Sequence, residues 1–576
     1  VTLPRLNHAK RIALDFETHD EHLKELGPGP RRGATILCAS VSDGETAWSF
    51  PHTPELYEWL NVYAHKDWIF ANALYDLDFA HYQGFTPLGN IYDVQIAEPL
   101  IDEFSESYAL EKLAQRYVGL GKATTDIDWF VLSHGLKGDP RSHLHRMPLD
   151  MVLDYAKEDA LLTHQIFTKQ EAILREKELW PVFLMESELL KLLLRMRVTG
   201  VRIDEQKIET TIAVVQEQWN NAQKRLFEIA GEQISANSAK QIATVFDRLK
   251  MQYGYTEAGN PSFTAAFLEN HDSELSGILL QVRQLGKLDG TFLTGMKRFI
   301  VNGRIHTQFH PMRTDNYGTI SGRLSSSKPN LQQIPARQEF SKKAVRGLFI
   351  PEDGHDWVKI DYSQIEQRLL VHYARGRGAP QMQQLYRDNP DTDFHTETAR
   401  LANVPRSLAK TINFGINYGM GPKKLAQTLG VPKEDAYEFL SNYRERLPFL
   451  KTTFQKVEDK FVRVGYIRTI SGRRAHYHGS ASHVALNRLI QGSAADVMKQ
   501  AMVNAYRHGI FETIVPHLTV HDEIDVSVPR TKEGDEALKE LQYTFENVYQ
   551  LRVPLRVDME RGPDWSRSYD RLDTTS

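Results

Sequence analysis

Three short stretches near the N-terminus carry side chains that could hold cations. Asp15 and Glu17 stand two apart in an apolar strand, so both carboxylates leave the same face. Such a pair offers oxygen ligands to hard divalent ions. In NALYD, four-residue spacing sets Asn72 and Asp76 on one side of a predicted helical turn. In YAKED, Tyr155 and Asp159 repeat that spacing on a helix expected to begin near Pro148. Each piece also has a plain reading as a cap, a charged surface or a half-buried tyrosine.

A second set lies in the C-terminal half. WVKIDYSQIEQR (357–368) reads as a strand that delivers Asp361 at its end and then turns into a helix. HDEIDVSVP (521–529) follows the strand IVPHLTV and reads as a hairpin with Asp522 and Glu523 at the bend. Acids brought together there would repel unless a cation sat between them. The alternative is two surface acids about 160 residues apart in sequence that never meet. Between these stretches, Arg406, Lys410, Phe414 and Tyr418 recur every fourth residue in RSLAKTINFGINYG. That stripe makes a poor core face but a good nucleotide face, with cations for phosphates and rings for a base.

The elements that must position these groups follow from pattern. RIALDF (11–16), ATILCASV (34–41) and DWIFANAL (67–74) predict strands, followed by a long helix from about Pro148. That alternation predicts a compact α/β unit. GPGPRRG (27–33) reads as a loop. Residues 186–299, with ELLKLLLRMR (188–197) and the Gln-rich run 206–229, predict an extended pair of helices. The remainder mixes strands with long helices.

Composition sets the bounds. The chain has 576 residues, 41% of them hydrophobic, and a net charge of −4 from 70 basic and 74 acidic residues. A small nucleic-acid-coating protein would be strongly basic and is excluded, whereas an enzyme gripping nucleic acid along one groove is not. A single cysteine, Cys38, excludes an intramolecular disulfide. No apolar run approaches a membrane span, and no secretory h-region precedes Asp15, so a protein of a reducing compartment is expected.

The ordered carboxylate trio resembles the DEDDy 3′→5′ exonuclease fold. DYSQIE, the Arg406–Gly419 stripe and HDE resemble motifs A, B and C of the family A (DNA polymerase I-like, Klenow-type) DNA polymerases. SGRLSSSKPNLQQIP (321–335), NRLIQGSAAD (487–496) and TGVRID (199–204) resemble the family's primer-template motif, the segment before motif C and the start of the thumb. The likeness runs from Asp15 to Trp565.

The resemblance implies a multidomain α/β and α+β chain. An RNase H-like exonuclease domain (1–180) precedes a right-hand polymerase with thumb (181–300), palm (301–371 and 487–576) and fingers (372–486). Asp15, Glu17, Asp76 and Asp159 would hold the exonuclease metals, with Tyr155 orienting the attacking water. Asp361 and Asp522 would hold two Mg²⁺ at the polymerase site, Mn²⁺ being able to substitute, and Glu523 would support them. Arg406, Lys410 and His395 would bind the triphosphate, Lys410 protonating the leaving group. Phe414 and Tyr418 would shape the pocket, and Phe414 implies discrimination against dideoxynucleotides. Glu366 would be the steric gate against ribose. Arg323, Asn487, Gln491 and His521 would touch the primer-template, reading pair shape through near-uniform minor-groove acceptors.

The implied enzyme is a proofreading DNA-directed DNA polymerase of phage, organelle or bacterial origin, acting on primer-template DNA and dNTPs. It is expected to be a monomer of the cytoplasm or nucleoid, or of an organelle matrix. No 5′-nuclease domain and no thioredoxin-recruiting thumb insertion is expected. Gln333 and His483 depart from the family pattern, which puts minor-groove contacts in question. A nuclease with a merely DNA-holding module, a single-subunit RNA polymerase and a polymerase with a dead exonuclease are the alternatives.

Overall fold

The computed structural model describes residues 3–119, 121, 125–336, 338–417, 421–479 and 482–569; within Arg406–Asn417 the side chains of Phe414, Ile416 and Asn417 are outside the described set. The N-terminal alternation builds a five-stranded sheet from β1 (Arg11–His19), β2 (Thr35–Ser42), β3 (Ala47–Pro51), β4 (Asp67–Phe70) and β5 (Ile91–Asp93). Their order is β3-β2-β1-β4-β5, with β1 antiparallel to β2 and parallel to β4. Ile12, Ala13, Leu14 and Phe16 are all buried, so β1 is covered on both faces and is the natural centre of the sheet.

The apolar run 67–74 divides rather than forming one strand. β4 stops at Phe70, and helix α1 (Ala73–Tyr82) starts after Asn72, whose φ of +71° is left-handed. Asn72 therefore stands just ahead of α1, its side chain making no capping bond, instead of sharing a helical face with Asp76, a correction to the four-residue spacing argument. Helix α2 (Leu149–Glu176) begins right after Pro148 and packs across β1, β2 and β3.

The helical stretch from 186 also departs from expectation. Helix α3 (Trp180–Thr199) buries residues around most of its circumference in the large core, together with the first sheet and the C-terminal half. A helix apolar on nearly all sides belongs inside a core. The extended pair is instead α4 (Glu205–Ala230) and α5 (Glu274–Lys287), which share a second core through Val215, Leu226, Leu279 and Val282.

A second, antiparallel sheet carries the C-terminal acids. Its strands β6 (His355–Tyr362), β7 (Val515–Val520), β8 (Glu523–Pro529) and β9 (Val557–Gly562) lie in the order β7-β8-β6-β9. Period-two alternation sorts the two faces. Val358, Ile360, Ile524 and Val526 enter the large core, whereas Trp357 joins the second core with Leu518 and Val520. Four further helices carry the remaining candidate residues: α6 (Ile365–Tyr373), α7 (Phe394–Ala402), α8 (Arg406–Asn417) and α9 (Ala485–Arg507). Among the described residues, no helix is long and apolar enough to cross a membrane.

Candidate active sites

The first sheet and its covering helices bring the N-terminal acids together. Asp15 and Glu17 from β1 and Asp159 from α2 place ligand oxygens within 4.8 Å of one another. Asp76 approaches from α1, and its Oδ1 accepts the N–H of Phe16, the residue between Asp15 and Glu17, at 3.0 Å. Burial, then the charges of Asp15, Glu17 and Asp93, push the Asp76 carboxyl well above the usual carboxylate range. Tyr155 is buried one helical turn before Asp159. Four acids crowded this way suit a donor set for hard divalent cations, which would relieve their mutual repulsion.

Sequence reading missed what holds this arrangement. Asp93, at the end of β5, accepts the N–H groups of Asn72 at 3.1 Å, Ala73 at 2.7 Å and Gln95 at 2.8 Å. It thereby fixes the start of α1 and caps the following helix, Val94–Ile101. Burial raises its pKa to about 6 against the pull of these N–H bonds. An aspartate between a strand and a helix was the available signal. Cys38 lies opposite Glu17 in β2, and burial, then Glu17 and Asp15, push its thiol up.

In the second sheet, Asp361 pairs across β6 with Glu523 on one side and Asp558 on the other. The next residue, Tyr362, donates its N–H to the Asp522 carbonyl at 3.3 Å. The two acidic strand ends therefore meet, as the sequence reading required. Asp361 is exposed yet surrounded by acids: desolvation, then Glu523, Asp522, Asp558 and Glu560, raises its pKa to about 7. Burial likewise raises Asp522, against the opposing charges of Arg323 and His521. Asp522 Oδ1 and Glu523 Oε1 are buried without a hydrogen-bond partner. Paired acids with unsatisfied oxygens are a donor set that fits divalent ions.

Arg323 is engaged inside this site. Its Nη2 donates to Glu366 Oε1 at 2.8 Å and lies 3.5 Å from Asp522 Oδ2. Glu366 stands in the first turn of α6; burial raises its pKa and Arg323 opposes that. The sequence identified both residues but not their pairing.

On α8, Arg406 Nε reaches Asp393 Oδ2 and Thr396 Oγ1, each at 3.1 Å. Asp393 in turn caps α7. His395 is buried with Nδ1 3.0 Å from Asn413 Nδ2, and burial lowers its pKa. Lys410 is exposed. The side chain of Phe414, and Tyr418 altogether, lie outside the described residues. Asn487 and Gln491 are half-buried one turn apart on α9, and Asn487 Nδ2 is buried without a partner. His521 is exposed in the β7–β8 turn with a left-handed φ of +58°.

Residues 205–567 match the family described as DNA polymerase family A, and residues 2–175 that described as 3′-5′ exonuclease. The DNA-directed DNA polymerase of Pseudomonas phage M6 is 32% identical, over 98% of this chain and 95% of that relative. The thermostable DNA polymerase I of Thermus aquaticus is 35% identical over 71% of this chain and 51% of its own length. DNA polymerase I of Geobacillus stearothermophilus is 33% identical over 71% and 48%. The chain thus spans about half the length of these bacterial relatives. In fold it is similar to a structure titled "POL domain of Pol1 from M. smegmatis complex with DNA primer-template and dNTP". The TM-score is 0.80 at 24% identity, covering 97% of this chain and 96% of the other. Two separate carboxylate clusters, each inside its own matched segment, accord with these likenesses: the chain belongs to DNA polymerase family A, a DNA-directed DNA polymerase with a 3′-5′ exonuclease domain ahead of the polymerase domain.

Proposed function

We propose that the chain extends a primer 3′-OH with dNTPs at the second sheet and removes misincorporated nucleotides at the first. The observation that carries this reading is the Tyr362-to-Asp522 backbone bond, which ties motif A to motif C and sets Asp361 beside Asp522 and Glu523. Asp361 and Asp522 would hold Mg²⁺ in the polymerase site, and Asp15, Glu17, Asp76 and Asp159 in the exonuclease site. When bound, such ions supply Lewis acidity at the reacting phosphate oxygens and a more acidic attacking hydroxyl or water.

The protein's own groups do the remaining work. Lys410, exposed on α8, is available to meet the triphosphate and protonate the leaving pyrophosphate. Arg406 would leave Asp393 for a phosphate, exchanging one anionic partner for another. His395, anchored on Asn413, would support the same face. Glu366 would exclude a ribose 2′-OH, its carboxylate held in place by Arg323. Asn487, Gln491, His521 and Arg323 would contact the primer-template, Arg323 only after releasing Glu366 and Asp522. At the first sheet, Tyr155 would orient the attacking water one turn from Asp159.

Residues 1–180 are assigned to the exonuclease, 181–300 to the thumb, 301–371 with 487–576 to the palm and 372–486 to the fingers. The enzyme would act as a monomer on primer-template DNA and dNTPs in the cytoplasm of a phage-infected or bacterial cell. Primer extension and single-strand degradation with Mg²⁺ test the reading. Asp522→Ala should abolish extension and spare degradation, and Asp159→Ala should do the reverse. A single substitution that removes both activities, in a folded protein, would overturn the assignment of two sites.

A further inference from the structure

A stretch of the exonuclease domain reaches across to the polymerase domain. Residues 102–108 follow the helix Val94–Ile101 and lie within the segment matched as 3′-5′ exonuclease. Their foot is in that domain: the Ser105 hydroxyl donates to Glu98 Oε1 at 2.8 Å and accepts from Arg116 Nη1 at 2.7 Å. Their far side is bonded to the loop that leads to Arg323. Asp315 in that loop accepts the Tyr108 N–H at 2.7 Å and the Ser107 hydroxyl at 2.8 Å, and Arg313 Nη1 donates to the Glu103 carbonyl at 3.1 Å.

The Glu103 side chain extends this bridge to α9. It is buried, and both of its oxygens are engaged. Oε1 accepts the His476 N–H at 2.7 Å and Arg488 Nη2 at 2.6 Å, and Oε2 lies 2.7 Å from His476 Nδ1. Arg488 Nη1 donates to the His476 carbonyl at 2.6 Å, and the Phe104 ring centre lies 5.1 Å from its guanidinium. The guanidinium is therefore held from outside its own helix, by a carboxylate, a carbonyl and a ring face. Arg488 follows Asn487 directly and precedes Gln491 by three residues, so the turn of α9 that carries both amides is the turn that Glu103 grips. That helix starts without a side-chain cap, which leaves its first turn to such outside contacts. His476 ends the hairpin formed by Tyr466–Arg468 and Arg474–His476, whose Ile467 and Ala475 pack with Ala485 and Leu489 of α9. Glu103 thus ties the helix and the hairpin packed against it to one point.

We propose that Glu103, a residue of the exonuclease domain, is a positioning residue for primer-template binding at the polymerase site: through Arg488 it fixes the face of α9 that presents Asn487 and Gln491. This role rests on the primer-template contacts proposed above for those two residues. A carboxylate–guanidinium bond is strong and directional, so it sets the rotation of the turn as well as its place. Cementing two domains together is a different role with a different consequence. Loss of cement lowers stability and both activities together, whereas loss of positioning weakens the grip on DNA and leaves the chemistry of the bound complex alone.

The test compares Glu103→Ala and Glu103→Gln at a temperature where thermal melting shows each variant folded. Primer-template Kd is read by fluorescence anisotropy without divalent ions, kcat by extension at saturating primer-template, and nuclease action by single-strand degradation. The Ala variant should raise Kd about tenfold, the order expected for a hydrogen bond to a charged group. Its kcat should stay within about twofold, and degradation should be unchanged. The Gln variant, whose amide oxygen still accepts from Arg488 and the His476 N–H, should keep Kd within about threefold. Arg488→Met keeps an unbranched stem and removes the guanidinium, which gives a second route should the Ala variant fold poorly. It should raise Kd as far, and adding Glu103→Ala to it should cost little more, because the two act through one contact. In a background of Asn487→Ala with Gln491→Ala, the effect of either variant should nearly vanish. Wild-type Kd in both the Ala and the Met variants, a Gln variant as impaired as Ala, kcat and degradation falling along with affinity, or effects that multiply in the Asn487→Ala, Gln491→Ala background would each overturn the proposal. That background alone separates the two readings. Should it bind primer-template as tightly as wild type, the assignment of Asn487 and Gln491 fails. Should it bind weakly while Glu103→Ala and Arg488→Met bind normally, only the present inference does.

Discussion

Replacing Glu186 by glutamine tests whether a buried charge cluster holds the two halves of the enzyme together. Glu186 on α3 is 0% exposed and accepts from Arg473 and from Lys499 Nζ, the latter at 2.6 Å. Arg473 also donates to Asp496 at 3.0 Å, and Lys499 to the Pro311 carbonyl at 2.6 Å. Burial pulls Lys499 from its ordinary value of 10.5 down to about 8, with Glu186 the strongest group opposing that fall. The shift is equivalent to about 3 kcal/mol, at 1.36 kcal/mol per pH unit. Its sign is fixed: between pH 8 and 10.5 the unfolded chain binds the proton that the folded chain has lost, so stability rises with pH there.

Glutamine removes that opposing charge, so Lys499 is buried neutral already at pH 7 and Arg473 loses one of its two anions. Breaking a buried pair costs about 3–5 kcal/mol. At pH 9 Lys499 is neutral in both folded proteins, so the gap should narrow by about 1–2 kcal/mol. Urea unfolding followed by tryptophan emission at the two pH values measures this directly. A gap below about 1 kcal/mol at pH 7, or one that widens at pH 9, refutes the argument. Loss of the cluster should also reach the loop that carries Arg323. A Cβ on Gly322 would lie only 3.0 Å from Arg473 Cζ, so the loop before Arg323 rests on that guanidinium.

Glu366→Ala should relax sugar selection, measured as the ratio of dNTP to rNTP insertion efficiency, and unchanged exclusion of rNTPs would refute the gate. Asp93→Ala removes the cap that starts α1 and should destabilise that segment by about 1 kcal/mol, lowering exonuclease rate while primer extension is unchanged. Glu103, buried under His476 and Arg488, is held below the usual carboxylate range by those partners against the opposing effect of burial. Its contribution is therefore present above its unfolded value and lost as pH falls through the lower folded one. Glu103→Gln should cost about 3 kcal/mol at neutral pH, and urea unfolding should show the difference from wild type closing as pH falls below the ordinary glutamate value of 4.5.

The parts of the two sites that were legible in sequence are those where chemistry and local period coincide. Asp15 and Glu17 alternate with apolar residues on one strand, and Asp361 ends another, so period two alone set their facing. The stripe of Arg406 and Lys410 was visible because its spacing matches a helix and its composition does not match a core. What escaped was fixed by contacts between distant segments. Asn72 looked helical by spacing, yet its left-handed backbone is dictated by Asp93, 21 residues on. The stretch 188–197 reads as half of an extended pair, but Glu186 and its partners lie in the core because Arg473 and Lys499 come from about 290 and 310 residues later.

Arg323 shows why side-chain partners are harder to read than positions. Its sequence context predicts a primer-template contact, and the structure sets it beside Glu366 and Asp522. There the guanidinium is bonded to Glu366 at 2.8 Å and lies 3.5 Å from Asp522. A lone arginine facing a group of buried acids satisfies the nearest carboxylates, and only a competing polyanion alters that preference. The pairing therefore ties primer engagement to exposure of Asp522. While Arg323 remains there, a positive charge occupies one approach to the acid proposed to accept a cation, so primer binding before metal is the expected order under that proposal. Arg323→Ala tests this by separating two effects. It should weaken primer-template binding, read by fluorescence anisotropy. It should also lower the Mg²⁺ concentration needed for half-maximal extension at saturating primer, because the competing charge is gone. A raised Mg²⁺ requirement would mean that the arginine orders the carboxylates rather than competing for them.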